Sequence, residues 1–296
     1  MRSKKTEMYY LIMMLPGFAF LLLFNYIPMF GIVIAFEKFI PAKGILRSPW
    51  IGLDNFKYIL QMPEVWQIFC NTIVIACSKI ILGIIIPVFY ALLLNEVHAK
   101  WFKRTIQTII YVPHFLSWVI LATIIRQMFS LTGIVNQSLG VVFGQKVMFL
   151  ADKDWFRLLI IFSDQWKEFG YGTIIYLAAI TSISPMLYEA AIIDGATRFQ
   201  RLRYITIPGI SATIVLLSTL ALGRILNAGF DQIFNLYTPL VYETSDIIDT
   251  YVYRIGMLSA QYGLSTAVGL LKSVISFVLI IASYKLADRF ANYKIF

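Results

Sequence analysis

The chain has 296 residues, of which 59% are hydrophobic and only 14% are charged, and its mean hydropathy is +0.76. Soluble domains are about half apolar and about a quarter charged, so this composition excludes an ordinary soluble protein and indicates an integral membrane protein. The formal net charge of +9 does not indicate nucleic-acid binding, because the basic residues flank apolar runs, as they do in membrane proteins.

Six apolar stretches are long enough to cross a bilayer core, which takes about 20 residues. We expect each to be a helix, because lipid offers the backbone no hydrogen-bond partner. In chain order they are 9–36, 68–94, 105–129, 158–182, 209–229 and 264–284. The first is too long for the apolar part of a signal peptide and is interpreted as a retained span. The predicted fold is therefore all-α and polytopic, with residues 1–296 forming a single transmembrane domain.

The distribution of lysine and arginine predicts the orientation. With the N-terminus in the cytoplasm, twelve of these residues fall in the 56 residues of the inner segments, which are 1–8, 95–104, 183–208 and 285–296. The outer segments carry eight in 93 residues and are 37–67, 130–157 and 230–263. Because basic residues concentrate in cytoplasmic segments, we expect both termini to be cytoplasmic.

Segment 183–208 is too polar to be a span, and its sequence predicts a helix, a sharp turn and a second helix. Ser184 is a suitable cap for the first helix, Pro185 suits its first position, and Gly195 suits a left-handed stop after it.

Thr197 and Gln200 have the spacing of a capping box for the second helix, and Pro208 is predicted to end it. Local physics alone also allows an interfacial helix pair whose arginines contact anionic lipid headgroups.

A longer pattern in this segment carries a family resemblance. It consists of Glu189-Ala190-Ala191, then Asp194-Gly195-Ala196, then Ile205 and Pro208. These residues resemble the EAA loop of binding-protein-dependent ABC importer permeases, and 183–208 is called the EAA segment below. Leu202 and Ile207 depart from the usual Phe and Leu but remain apolar. Other stretches, such as "GLDNFKYIL" and "YVPHFLSWVI", are similar to permeases of oligosaccharide importers, in particular the branch for polysaccharide-derived sugars.

The resemblance implies a type I ABC importer permease in a bacterial plasma membrane, with the EAA segment docked on an ATPase. The residues implied in ATPase coupling are Glu189, Ala190, Ala191, Asp194, Gly195, Ala196 and Arg198. The chain contains no GxxxxGK[ST] phosphate loop, so we expect no enzyme activity and no bound cofactor, with ATP and Mg on the partner. The implied partners are a second permease, two ATPase subunits and an extracytoplasmic sugar-binding protein.

The fourth span carries four polar residues at three- and four-residue spacing, so they share one helix face. They are Asp164, Lys167, Glu168 and Tyr171. Carboxylates accept hydrogen bonds from sugar hydroxyls, and the resemblance implies that this stretch lines the solute site. Arg224, Asn227 and Phe230 of the fifth span are predicted to join it, where a cation suits an anionic sugar such as a uronate.

The alternative is a structural role for these charges. In that case Asp164–Lys167 or Glu168–Arg224 ion pairs hold helices together, or the residues face the partner permease. Lys79, well inside the second span, also needs a partner or water.

Other functions make different demands on the sequence. An ion-coupled secondary transporter is expected to show an internal repeat, and none is visible in the sequence. An intramembrane enzyme has only His98 and His114 as candidate histidines, and neither lies in an HExxH or GxSxG motif. An assembly subunit with no solute path is a further alternative. An importer of another solute class also remains open, because no residue identifies the sugar.

Overall fold

The computed structural model describes the backbone of residues 4–291 and the side chains of residues 8–142 and 144–285. Within these ranges the chain is almost entirely helical, and extended pairing is limited to one antiparallel bridge between Glu37 and Trp50. The prediction of an all-α polytopic protein is therefore confirmed.

Residues 4–291 form fifteen α-helical stretches, some of them separated only by π- or 3-10-helical turns. They are α1 Lys4–Leu21, α2 Ile27–Met29, α3 Asp54–Gln61, α4 Pro63–Glu96, α5 Lys100–Tyr111, α6 Trp118–Phe129, α7 Ile134–Phe143, α8 Lys153–Thr181, α9 Pro185–Ile193, α10 Arg198–Arg201, α11 Ile207–Leu222, α12 Phe230–Leu236, α13 Tyr242–Ser245, α14 Ile248–Tyr253 and α15 Tyr262–Ala291.

In the described part of the chain, five helical runs are long and apolar enough to span a membrane: Met8–Phe36, Pro63–Glu96, Trp118–Val142, Arg198–Leu222 and Tyr262–Lys285. A sixth is obtained when α8 is counted together with α9, which is bent from it by 65°. The charged residues of α8, among them Asp164, Lys167 and Glu168, lower its apolar character.

One compact unit consists of the described part of Met1–Pro63 together with Tyr251–Leu271. Asn55 closes the loop after the first apolar run, because its side-chain amide donates to the carbonyls of Ala35 (2.8 Å) and Glu37 (3.2 Å). Only 6% of the most apolar stretch of Met8–Phe36 is buried within the chain. Lipid or another subunit must therefore cover this helix.

The second unit consists of Glu64–Thr250 and the described part of Lys272–Phe296. It contains two apolar clusters. In the first, α4, α6, α8 and α12 meet around Ile75, Ile125, Phe156 and Ile233. In the second, the C-terminal parts of α4 and α8 pack against the start of α11; its buried members are Ala91, Leu94, Tyr176, Leu177, Ile180 and Ile210.

The predicted span 105–129 is not one helix. The chain forms α5, then a 3-10 turn at Val112–Phe115, then α6, which begins after Ser117. Proline has no backbone N–H to donate, so Pro113 favours the break, and the Ser117 hydroxyl accepts from the Ile120 N–H at 3.4 Å.

The predicted span 209–229 also differs from the structure. Its helix ends at Leu222, and residues 223–229 form an irregular break that ends at Gly229, with φ of +98°. Helix α12 then begins at Phe230.

The prediction that Pro208 ends the second helix of the EAA segment is wrong. Helix α10 passes through a π turn at Leu202–Thr206 into α11, so the helical run reaches Leu222. In the π turn the Ile207 N–H bonds to the carbonyl of Leu202, one residue further back than in an α-helix. This wider turn makes room for the ring of Pro208, which would otherwise clash with the preceding turn.

Candidate functional site

The EAA segment folds as the predicted helix pair with a tight turn. Gly195 has φ of +77°, and the Ala196 N–H donates to the Ala191 carbonyl at 2.8 Å. That bond closes the end of α9 in the manner of a Schellman motif. Thr197 and Gln200 form the predicted capping box, with bonds of 2.7 and 3.3 Å between their side chains and backbone N–H groups. Ser184 stands before α9, but its side chain makes no capping bond.

A hydrogen bond of 3.0 Å between the hydroxyls of Tyr188 and Thr206 joins the two halves of the EAA segment. Thr206 is buried, and its hydroxyl also donates to the Arg201 carbonyl at 3.4 Å. Neither residue was singled out from the sequence. A tyrosine and a threonine 18 residues apart give no local signal, because the turn at Gly195 brings them together.

The residues implied in ATPase coupling lie around this turn. Glu189, Ala190, Asp194, Gly195 and Arg198 are exposed, and Ala191 and Ala196 are half-buried. Within the described residues, no ion pair joins Glu189 or Asp194 to Arg198.

Helix α9 of the EAA segment also carries large exposed apolar side chains, Ile193 beside the turn and Met186 at the start of the helix. Ile193 is 87% exposed and Met186 is 73% exposed. A rigid polar knob with an apolar tip is suited to insertion into a partner protein.

A buried ion pair lies in the middle of the second unit. The Lys79 ammonium on α4 is 3.2 Å from the Asp164 carboxylate on α8, and it donates to the Ala228 carbonyl at 2.8 Å. It also donates to the side chain of Gln232 on α12. The predicted need of Lys79 for a partner is met by Asp164, which sequence reasoning paired with Lys167 instead.

Two glutamines complete this cluster, which we call the Lys79 cluster (Lys79, Asp164, Gln165 and Gln232). The Gln165 amide donates to the Lys79 carbonyl at 3.1 Å. The Gln232 amide donates to the Ile160 carbonyl at 2.7 Å and to the Ser163 hydroxyl at 2.8 Å. The cluster therefore ties α4, α8 and the end of the 223–229 break together.

A second set of contacts surrounds Glu168. Lys167 is buried and donates to the His114 carbonyl at 2.7 Å and to Glu168 at 3.0 Å. The other Glu168 oxygen is 2.8 Å from Nδ1 of His114. Tyr171 stacks on the His114 ring, with centroids 4.2 Å apart. The Glu168 side chain is 42% exposed and Tyr171 is 46% exposed, so a carboxylate and an aromatic ring remain open to a solute.

The predicted residues of the fifth span separate in the structure. Arg224 is exposed in the 223–229 break, and no ion pair joins it to Glu168 among the described residues. The side-chain amide oxygen of Asn227 accepts from Lys272 at 2.8 Å, and Lys272 pairs with Asp249 at 2.5 Å. Phe230 stacks on Phe234 at 5.2 Å.

Comparisons with known proteins identify the family. The family model described as "Binding-protein-dependent transport system inner membrane component" matches residues 79–292. The chain belongs to this family. The matched region includes the Lys79 cluster, the Glu168 contacts and the EAA segment, and the resemblance stated from the sequence is confirmed.

Relatives of this transport component in Bacillus subtilis strain 168 include LplB and YteP. Protein LplB is 40% identical over 297 residues, which cover 100% of this chain and 93% of LplB. The polygalacturonan/rhamnogalacturonan transport system permease protein YteP is 40% identical over 291 residues, which cover 98% of this chain and 91% of YteP.

Solved structures that share the fold of this transport component include two of alginate transporters. One is of a bacterial ABC transporter involved in the import of the acidic polysaccharide alginate, with a TM-score of 0.90, 39% identity and 97% of each chain covered. The other is of a bacterial alginate ABC transporter in complex with an alginate pentasaccharide-bound periplasmic protein, with a TM-score of 0.89, 38% identity and 96% coverage of each chain. The type I ABC importer permease fold is confirmed.

Replacing Gly195 with valine is expected to loosen the turn of the EAA segment. A side chain there meets no neighbouring atom within 4 Å, so the penalty comes from the left-handed backbone alone and amounts to about 1–2 kcal/mol. Hydrogen exchange of the Ala196 amide should accelerate about tenfold, since 1.4 kcal/mol corresponds to a factor of ten. Gly140→Ala, in α7 with open space around it, is the matched control and should leave that exchange unchanged. Equal exchange in Gly195→Val and the parent would contradict the assigned turn.

Replacing Lys79 with methionine should destabilise the protein strongly, because it leaves the Asp164 carboxylate buried without a cation. Breaking one side of a buried pair costs about 3–5 kcal/mol. Thermal unfolding in detergent should show a large drop for Lys79→Met and a substantial recovery for Lys79→Met with Asp164→Leu. Lys57→Met breaks an exposed pair with Asp54 (3.1 Å) and serves as the control, for which little change is expected. A Lys79→Met protein as stable as the parent would show that the Lys79 cluster does not stabilise the fold.

Proposed function

We propose that the chain is a permease subunit of an ATP-driven importer for acidic oligosaccharides, with both termini in the cytoplasm. The observation that carries this proposal is the EAA segment. It is a capped, hydrogen-bonded helix pair with Ile193 exposed at its tip and Met186 exposed at the start of α9, in a chain of the binding-protein-dependent family. An exposed apolar tip on a stiff support is the geometry that receives force from a partner.

Energy comes from partner ATPase subunits, because the chain has no phosphate-binding loop of its own. We propose two ATPase subunits, which hold ATP and Mg, and a second permease that completes the pathway. The exposed apolar surface of Met8–Phe36 is available to that permease or to lipid. The cytoplasmic orientation is supported by the density of lysine and arginine in the inner segments.

An extracytoplasmic binding protein delivers the solute in this proposal. The family description contains the words "binding-protein-dependent", and the alginate transporter was solved with a pentasaccharide-bound periplasmic protein. Closure of the ATPases would then move the EAA segments and switch the pathway between its two faces as rigid bodies.

The acidic character of the solute is supported by relatives and by one side chain. YteP is named for polygalacturonan and rhamnogalacturonan, and the structural neighbour imports the acidic polysaccharide alginate. In this chain Lys79, Lys167 and Lys272 are each paired with a carboxylate, whereas Arg224 is exposed. A planar guanidinium binds a carboxylate through two parallel hydrogen bonds, so Arg224 is the residue proposed to bind a uronate.

Neutral parts of the sugar are assigned to Glu168 and Tyr171. The half-exposed carboxylate accepts hydrogen bonds from hydroxyl groups, and the ring packs on the apolar face of a pyranose. Lys167 is buried and Asp164 is half-buried, and both are bonded to protein groups, so we assign them a supporting role behind the site. We also propose that Asn227 and Phe230, at the end of the 223–229 break, line the solute site.

The docking role of the EAA tip is tested by Ile193→Asp. A carboxylate at an apolar contact should abolish copurification of the ATPase subunits and ATP-dependent uptake, because its desolvation opposes burial. Leu46→Asp changes an equally exposed apolar residue, 98% accessible, in the first loop and should leave the ATPase bound. Retention of the ATPase by Ile193→Asp would sink the docking assignment.

The solute assignment is tested by uptake into liposomes that contain the assembled transporter, its binding protein and ATP. Arg224→Gln should lower uptake of acidic oligogalacturonates about 10–100-fold, since a hydrogen bond to a charged group contributes about 1.5–3 kcal/mol. Glu168→Ala and Tyr171→Ala should also lower uptake while the ATPase remains bound. Arg126→Gln removes another exposed arginine and is the control.

Two results would count against the proposal. Uptake that continues without ATP would favour an ion-coupled carrier. Normal acidic-sugar uptake by Arg224→Gln would separate that residue from solute binding.

A further inference from the structure

A cavity of about 780 Å³ opens between the C-terminal end of α4 and the second half of the EAA segment, all within the second unit. None of the residues proposed to contact the solute lines it. The lining from α4 and the following loop is Phe89, Leu92, Leu93, Asn95, Glu96 and His98; the lining from the EAA segment is Tyr188, Arg198, Phe199, Arg201, Leu202 and Thr206.

The side of this cavity formed by the EAA segment is cationic, because Arg198 and Arg201 line it. His98 lies on the α4 side, and Glu96 is the acidic residue among the described lining residues. The Nε of Arg201 is buried and has no hydrogen-bond partner among the described residues. A buried N–H without an acceptor is costly, and a guanidinium N–H is best satisfied by a charged oxygen. This side of the cavity is therefore suited to an anion.

Apolar, accessible side chains of α4 also line the cavity. Phe89 is 56% exposed and Leu93 is 49% exposed on α4, a 34-residue helix apolar enough to span a membrane. Phe199, 68% exposed, adds an aromatic ring from the EAA segment. The cavity thus places apolar side chains of a membrane helix beside two arginines. This combination suits an amphiphile with an anionic headgroup rather than a soluble anion.

We infer that this cavity binds the phosphate of an anionic phospholipid, with Arg201 and Arg198 on the phosphate oxygens and an acyl chain along Phe89 and Leu93. The volume suits a glycerophosphate headgroup, since small-molecule sites span about 300–1,000 Å³. The inference rests on the proposed orientation, which places the EAA segment at the cytoplasmic leaflet, where anionic lipid attracts basic residues.

Such a lipid would brace the EAA segment against α4. Tyr188 and Thr206, whose hydroxyls join the two halves of the segment, both line the cavity. A headgroup bound there contacts both helices at once and opposes their separation. The coupling between the ATPase and the permease then depends on the anionic lipid content of the membrane.

Native mass spectrometry of the assembled transporter in detergent tests this site, with phosphatidylglycerol as the probe and phosphatidylcholine as the neutral comparison. The parent should bind phosphatidylglycerol, and Arg201→Gln should bind it about tenfold more weakly. Arg203→Gln removes an arginine two positions away that does not line the cavity and contacts the Tyr204 ring, so its binding should match the parent. His98 lies in an exposed loop outside the EAA segment, so its replacement leaves the sequence of those helices unchanged. His98→Glu adds a carboxylate that repels the phosphate and should also weaken phosphatidylglycerol binding.

Four results would overturn the inference. They are equal phosphatidylglycerol binding by all the variants, equal binding of phosphatidylcholine, displacement of the lipid by millimolar inorganic phosphate, and lipid binding by the permease alone but not by the complex, which would mean that the ATPase covers the cavity. The measurement uses neither ATP nor sugar. A failure here is thus separable from a failure of the uptake experiments.

Discussion

The ion pair between Lys79 and Asp164 is the contact on which the arrangement of polar residues in the second unit depends. A charge inside an apolar helix bundle is stable only when another charge and hydrogen bonds satisfy it. The Lys79 ammonium is satisfied by three groups at once: the Asp164 carboxylate, the Ala228 carbonyl and the Gln232 side chain. Gly229 completes the fit, because a Cβ there would lie 2.8 Å from the Lys79 nitrogen. An interrupted helix is thereby held firmly at its break.

The polar residues of the membrane region fall into two groups according to their contacts and exposure. Asp164 and Lys167 are committed to protein contacts, whereas Glu168, Tyr171 and Arg224 keep accessible surface. The two readings of these charges, as structural ion pairs or as solute contacts, are therefore not exclusive. Burial and bonding distances separate the residues of each group, although all of them share helix α8 or the break that follows α11.

The sequence predicted what local rules determine. Apolar length located most of the spans, and left-handed geometry at Gly195 and the capping box at Thr197 followed from residue type and spacing. Partners distant in the chain were not predictable: 85 positions separate Lys79 from Asp164, and helix periodicity gives no information about which helices meet. The breaks at Pro113 and after Leu222 were missed because apolar composition continues through them, while backbone geometry does not.

In the proposed transport cycle, the stiff EAA segment transmits movement, and the irregular 223–229 break permits local change. Two helices leave the segment: α8 leads back to Glu168, about 20 Å from Thr181, and the run Arg198–Leu222 leads about 36 Å forward to the break that holds Arg224. Continuous helices carry a displacement with little loss, whereas the break allows Arg224 to change its surroundings. A movement of the EAA segment would thus reach the two sides of the proposed solute site through two separate helices. In this proposal the Lys79 contacts limit how far those two paths can part, because they tie α4, α8 and the break together.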